Sequence, residues 1–150
     1  MTSRDAIENL MARYCRLYDD GDLEGYAELF RHGLVSGMSK PEEVIAWHRK
    51  NIFFYDGIPK TRHLISNIEI EIDEAAGLAD GRSYIIAYQA LEDFPLQPIL
   101  LGSYIDKFHR IDGQWYFASR SFKWHLSGDN SRHSRPDATL PDGVGSSPGH

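Results

Sequence analysis

Apolar positions change their period once along this chain, and the change divides a helical first third from a strand-rich remainder. Ala6, Ile7, Leu10, Met11, Tyr14, Leu17 and Tyr18 recur at three- and four-residue steps and form one apolar stripe. That spacing predicts a helix. Thr2 and Ser3 can cap its start, Asp5 suits the positive end of its dipole, and Gly21 ends it. A short second helix follows, with Leu23, Tyr26, Ala27 and Phe30 on one side. Ser39 and Glu42 have capping-box spacing, and Pro41 falls in the first turn of a third helix running to about Asn51.

Beyond that point the pattern alternates. Ile68, Ile70 and Ile72 interleave with Glu69 and Glu71, as in a strand with one wet face. Asp73 to Gly77 reads as a turn. Arg82 to Leu91 is a second strand, apolar on both parities: Tyr84, Ile86 and Tyr88 on one, Ile85, Ala87 and Leu91 on the other. Such a strand is expected to be covered on both faces. Asp93 to Pro98, with two prolines, reads as a loop. Ile99 to Arg110 and Gln114 to Trp124 read as strands joined by an Asp112-Gly113 hairpin turn. The expected class is α+β: three helices, then a meander of long strands. Residues 127–150 are poor in apolar residues and rich in turn formers, so a weakly held polar tail is expected after a domain of residues 1–126.

Composition narrows the function classes. A chain of 150 residues can bury one real core. Its formal net charge of -6 argues against nucleic acid, which demands a basic face. There is no polybasic run for anionic membrane, and the apolar stretches are far too short for a span. The N-terminal residues lack an apolar signal core. Cys15 is the single cysteine, so no internal disulfide can form, and it lies within the helical pattern as a small core residue. The expectation is a cytoplasmic protein.

Strict motifs are missing. There is no Gly-rich phosphate loop, no G-x-S-x-G elbow and no H-E-x-x-H. The histidines, His32, His48, His63, His109, His125, His133 and His150, are scattered, and none has ligand-pair spacing, so no metal is expected. Taken alone, Asp19 is an ordinary helix-end carboxylate and His63 an ordinary strand histidine.

The segments IENLMARYCRLYDDGDLEGYAELF, RHLISNIEIEID and FHRIDGQWYFASRSF resemble the SnoaL-like, NTF2-like superfamily over about Ile7 to Trp124. The Y-x4-D-x2-D-x6-L-F pattern falls on Tyr14, Asp19, Asp22, Leu29 and Phe30, and the D-G-x-W hairpin on Asp112, Gly113 and Trp115. Within the superfamily the chain is similar to the branch containing scytalone dehydratase, hexachlorocyclohexane dehydrochlorinase and bile acid 7α-dehydratase. The resemblance implies a cone, a curved mixed or antiparallel sheet wrapped around three N-terminal helices with an interior pocket. It also implies an Asp–His pair at Asp19 and His63, a contributing tyrosine at Tyr14 and, more loosely, a basic residue at Arg120. Period-two counting, however, puts His63 on the face opposite Ile68, Ile70 and Ile72. Either a bulge lies between them, or the isoleucines face another layer.

A carboxylate that holds one imidazole nitrogen leaves the other free as a base, and imidazole ordinarily titrates near about 6.5. The implied chemistry is proton abstraction beside a leaving group or carbonyl, then loss of water or halide, with no metal or organic cofactor. Tyr14 would donate a hydrogen bond to a carbonyl or departing oxygen. Arg120 would hold an anionic or polar substrate group. Phe30, Trp47, Phe53, Phe54, Tyr84, Tyr88, Tyr104 and Trp124 are candidates for an aromatic wall, each with ordinary core packing as the alternative. The expected activity is a cofactor-independent lyase or isomerase acting on a hydrophobic, ring-containing small molecule. Two alternatives stand beside it. A non-catalytic ligand-binding or assembly domain would show a closed pocket, or Asp19 and His63 apart. An epoxide hydrolase needs an Asp–Arg–Asp water-activating set, for which Asp106 and Arg120 could be drafted. The two-sided strand Arg82 to Leu91 suggests a homo-oligomer, trimer or dimer.

Overall fold

Thr2 and Asp5 close a capping box, so helix α1 (Ser3–Asp19) starts where its sequence predicts. In this computed structural model, which describes residues 1–138, α1 is followed by α2 (Leu23–Glu28) and α3 (Pro41–Asn51). Asp22 caps α2 by accepting from the Gly25 N–H. The Ser39–Glu42 box expected for α3 does not form: the N-cap is Lys40, with no side-chain cap. Pro41, preset for the first turn, starts this helix instead.

The sheet comprises β1 (Leu34–Val35), β2 (Thr61–Asp73), β3 (Leu78–Leu91), β4 (Phe94–Ile111) and β5 (Gln114–Ser127). Its order is β1-β5-β4-β3-β2. All neighbours are antiparallel except the short parallel pair β1–β5, so the sheet is mixed, curved and unclosed. The fold is the expected α+β cone. Its hairpin turns at Asp112 and Gly113, both at positive φ (49° and 81°), as a tight two-residue connection between right-twisted strands requires.

Two strand readings need correction. Residues 93–98 are not a loop: the chain turns at Glu92 and Asp93 and β4 begins at once, with Phe94 opposite Leu91 and Pro98 opposite Tyr88. Ladder irregularities at Ala87/Tyr88 and Gln89/Leu91 accommodate a stretch whose prolines have no N–H to donate. Nor is β3 covered on both faces by the described residues. Ala79, Gly81, Ser83, Ile85, Ala87 and Gln89 are buried, while Tyr84 is 51% exposed on the outer face with Ile86 and Tyr88 beside it.

The parity of His63 is resolved by a bulge. Register slips between Ser66 and Glu69, with Asn67 in the left-handed region at φ 51°. His63 opposite Ala87 and Ile65 opposite Ile85 face inward before the slip; Ile70 opposite Gly81 and Ile72 opposite Ala79 face inward after it. A single extra residue lets both sets share one face.

The inner face of the sheet packs on α1 through Ile7, Met11, Tyr14 and Cys15, meeting Ile85, Phe108 and Phe117. Burial pushes the Cys15 thiol up to about 11, as expected of a core thiol. The chain does not leave the domain at residue 126. The segment 128–138 folds back on the end of α3, with Phe53 N–H donating to the His133 carbonyl and Arg135 N–H to that of Asn51 (both 2.9 Å). Asn130 and His133 are buried by this return. The rest of the expected tail, residues 139–150, lies outside the described residues.

Candidate active site

Asp19 closes α1, at the helix end where the macrodipole favours cations. A carboxylate there needs compensation, and the start of β2 supplies it. The Thr61 hydroxyl donates to Asp19 Oδ1 at 2.8 Å and the His63 backbone N–H to Oδ2 at 2.8 Å. His63 Nδ1 lies 2.6 Å from Oδ1. Burial opposes ionisation of Asp19, but the side-chain hydrogen bond and electrostatic attraction of His63, with the hydrogen bonds from its backbone and from Thr61, prevail and hold the carboxyl below its ordinary value. An ionised carboxylate only accepts, so Nδ1 is the nitrogen that carries a proton towards Asp19, and in the neutral ring Nε2 is the one with a lone pair.

His63 sits on the wall of a cavity of about 600 Å³. Tyr14, Tyr18, Tyr26 and Tyr104 line it with Trp47, Phe122 and Trp124. Tyr26 donates to the Tyr14 hydroxyl at 3.0 Å. Burial raises the pKa of each of the four tyrosines, so they stay protonated as donors.

Of the residues singled out from sequence, Asp19, His63, Tyr14, Trp47, Tyr104 and Trp124 come together at this cavity, Asp19 as the support behind His63. The others do not. Phe30 is buried beneath it, stacked on Phe117 with ring centroids 4.9 Å apart. Phe54 lines a separate surface groove with Gly21, Arg49 and Gly57. Tyr84 and Tyr88 lie on the outer face of β3, because inward positions there belong to the opposite parity. Phe53 lies under Arg135, whose guanidinium carbon is 4.5 Å from its ring centroid.

Arg120 requires the largest correction. It is 2% exposed and pairs in bidentate fashion with Asp106, Nε to Oδ1 and Nη2 to Oδ2, both at 2.7 Å. Its guanidinium carbon lies 4.3 Å from the Tyr14 ring centroid and 3.8 Å from that of Tyr104. The cation therefore sits behind two tyrosines of the wall instead of reaching a substrate group. Burial penalises its charge, but Asp106 outweighs that and raises the Arg120 pKa above its ordinary range. Among the described residues Asp106 is the one carboxylate paired with Arg120, so no Asp–Arg–Asp set is assembled.

The structure adds four residues that sequence reading passed over. Tyr18 packs edge-on to His63 with centroids 4.8 Å apart. His48 donates Nδ1–H to the Val44 carbonyl at 2.7 Å, and burial pushes its pKa down to about 4. Thr61 supports Asp19, and its signal was its place two residues before His63, on the same strand face. His133 reaches the cavity from the presumed tail and had no periodic signal at all.

Comparison with known proteins agrees with this architecture. The model of the SnoaL-like domain family matches residues 1–121. No curated protein sequence matches the chain. A Mycobacterium tuberculosis protein of unknown function is 25% identical with a TM-score of 0.65, covering 83% of this chain and 73% of that one. A Novosphingobium aromaticivorans protein provisionally described as a scytalone dehydratase is 23% identical at TM-score 0.66, covering 96% and 94%. LinA is 18% identical at TM-score 0.64, covering 83% and 86%. At such identities the last two likenesses speak for the fold alone.

Proposed function

The chain belongs to the SnoaL-like domain family, and we propose that within it this protein is a cofactor-independent proton-transfer enzyme. It acts as a lyase of dehydratase or dehydrohalogenase type, or as an isomerase using the same first step. The observation that carries the reading is the 2.6 Å contact between His63 Nδ1 and Asp19 Oδ1 at the wall of an aromatic cavity. A non-catalytic binding domain has no need to fix an imidazole tautomer on a buried carboxylate.

In this reading His63 Nε2 takes a proton from a carbon beside a carbonyl or leaving group. Asp19 stabilises the imidazolium that forms, and a positioned base of this kind contributes about 10²–10⁴-fold. Tyr14, itself held by Tyr26, donates to the oxygen that gains charge or departs. The tyrosines, Trp47, Phe122 and Trp124 supply an apolar wall with a few polar points, suited to a hydrophobic ring-bearing molecule. The outer sheet face exposes Leu64, Tyr84, Ile105 and Leu126, which supports a homo-oligomer, dimer or trimer.

The test is a screen for solvent deuterium exchange into hydrophobic ring ketones. Wild type should exchange at least one of them. Asp19→Asn and His63→Gln, each with an unchanged circular dichroism spectrum, should lose that exchange. Full exchange in either variant would remove the dyad as the base. Light scattering checks the oligomer, and a monomer would overturn it.

A further inference from the structure

The cavity holds a second imidazole lone pair that the proton transfer leaves unused. His48 lies with Val44 and Asn51 on the buried face of α3 and lines the cavity at 4% exposure. Its Nδ1 is 2.7 Å from the Val44 carbonyl oxygen. A carbonyl only accepts, so Nδ1 carries the proton. Burial outweighs that bond and pushes the His48 pKa down to about 4, so the ring is neutral at pH 7 and Nε2 holds a lone pair.

The bond to Val44 also aims that lone pair. The two nitrogens of an imidazole point in diverging directions, so tying Nδ1 back to the helix turns Nε2 away from α3. Tyr18, Tyr26 and Trp47 hold the ring edge-on, with centroids 5.4, 5.0 and 5.0 Å away. Among the described residues Nε2 has no hydrogen-bond partner. It differs from the sealed orphans of the core, such as Trp124 Nε1, in keeping accessible surface, and that surface belongs to a residue of the cavity wall. Buried polar groups are almost always satisfied, so a fixed acceptor open to a cavity points to a donor on the molecule that fills it.

We propose that His48 Nε2 is a ligand-binding acceptor, and that the molecule bound in the cavity is a hydroxylated ring whose O–H donates to it. This takes from the proposed function only that the cavity is the substrate site; it does not need His63 to be the base. His48 Nε2 stays unprotonated and fixes which way a ring turns between the aromatic walls. A ring of the same shape without the hydroxyl leaves the lone pair buried and unmet, and that loss is what discriminates against it.

The probes are 2-naphthol and 2-methoxynaphthalene, which share a ring system and differ in the O–H. Wild type should bind 2-naphthol about tenfold more tightly. An asparagine amide overlays the Nδ1 position of histidine and a glutamine amide the Nε2 position. His48→Asn keeps a donor for Val44 but no acceptor at the cavity, so the preference for 2-naphthol should fall to about twofold or less. His48→Gln restores an acceptor there and should keep most of it. In wild type labelled with ¹⁵N-histidine, saturating 2-naphthol should shift the His48 Nε2 signal and 2-methoxynaphthalene should not, a readout that needs no variant to fold. A stationary Nε2 signal, as when water alone meets this nitrogen, would overturn the proposal. So would a preference undiminished in His48→Asn, or no binding of 2-naphthol by wild type. His63→Gln should lose deuterium exchange yet keep the preference. Absence of exchange in wild type, with the His48-dependent preference intact, would instead count against the base reading.

Discussion

The Thr61 hydroxyl donates at 2.8 Å to the same Asp19 oxygen, Oδ1, that faces His63 Nδ1. Two donors on one oxygen, with the His63 N–H on the other, leave the carboxylate little freedom to rotate. Thr61→Val keeps the shape of the side chain and removes one donor. Asp19, held below the ordinary carboxylate range against the opposing effect of burial, should move up. Its ionised form orients the base, so the acid limb of a pH–rate profile should shift to higher pH, with a several-fold lower rate on the plateau. The profile of deuterium exchange, measured for both proteins, checks this; coincident acid limbs would contradict it.

Stability should fall on mild acidification. The pKa of His48 is pushed down to about 4 and that of His133 to about 3, in both cases first by burial. In the unfolded chain both titrate near about 6.5. Between that value and the folded values the unfolded state binds more protons, so stability is complete above the unfolded pKa and declines as pH drops. The limiting slope is about 1.4 kcal/mol per pH unit for each histidine. Asp19 acts in the same direction further down, its contribution being lost as pH falls through its depressed folded value. Urea unfolding midpoints at pH 7, 6 and 5 measure the slope, and His48→Gln should flatten it.

The buried Arg120–Asp106 pair should respond asymmetrically. Removing one partner strands the other charge in the core, so Arg120→Met should cost about 3–5 kcal/mol. Joining it with Asp106→Leu should recover most of that loss, because an apolar pair of similar volume is tolerated there. Urea denaturation of the single and double variants separates a stranded charge from mere loss of packing.

Asn67 stands at the bulge of β2 with φ 51°, where asparagine is tolerated and β-branched residues are strained. Asn67→Val should lower stability by about 1–2 kcal/mol, while Asn67→Gly should be close to neutral. Thermal melts compare them. Equal melting temperatures for the two variants would show that the bulge imposes no conformational demand.

Much of the fold was legible along the chain. The α1 stripe, its Thr2–Asp5 cap and the Asp112-Gly113 turn act over a few residues, so spacing alone reveals them. A faint sign of the site was local too: Asp19 breaks the charge preference of a helix C-terminus, as a residue with an outside partner can. Residues 93–98 misled because proline density argues for a loop, whereas the β3–β4 ladder absorbs the prolines at its irregularities.

What the sequence determined by itself was most of the elements, and its family resemblance added the frame and the pairing of Asp19 with His63 as candidates. Which side chains share the cavity was decided only in three dimensions. One residue at the β2 bulge sets the face of His63, parity on β3 sends Tyr84 and Tyr88 outward, and Asp106 claims Arg120 behind the tyrosine wall. His133 arrives from about 70 positions beyond His63 because segment 128–138 pairs with the end of α3. The physical reason is common to all of these. Periodicity records how a residue faces its near neighbours, while register, bulges and chain return depend on partners far away in sequence, whose contacts leave no repeating mark on the chain.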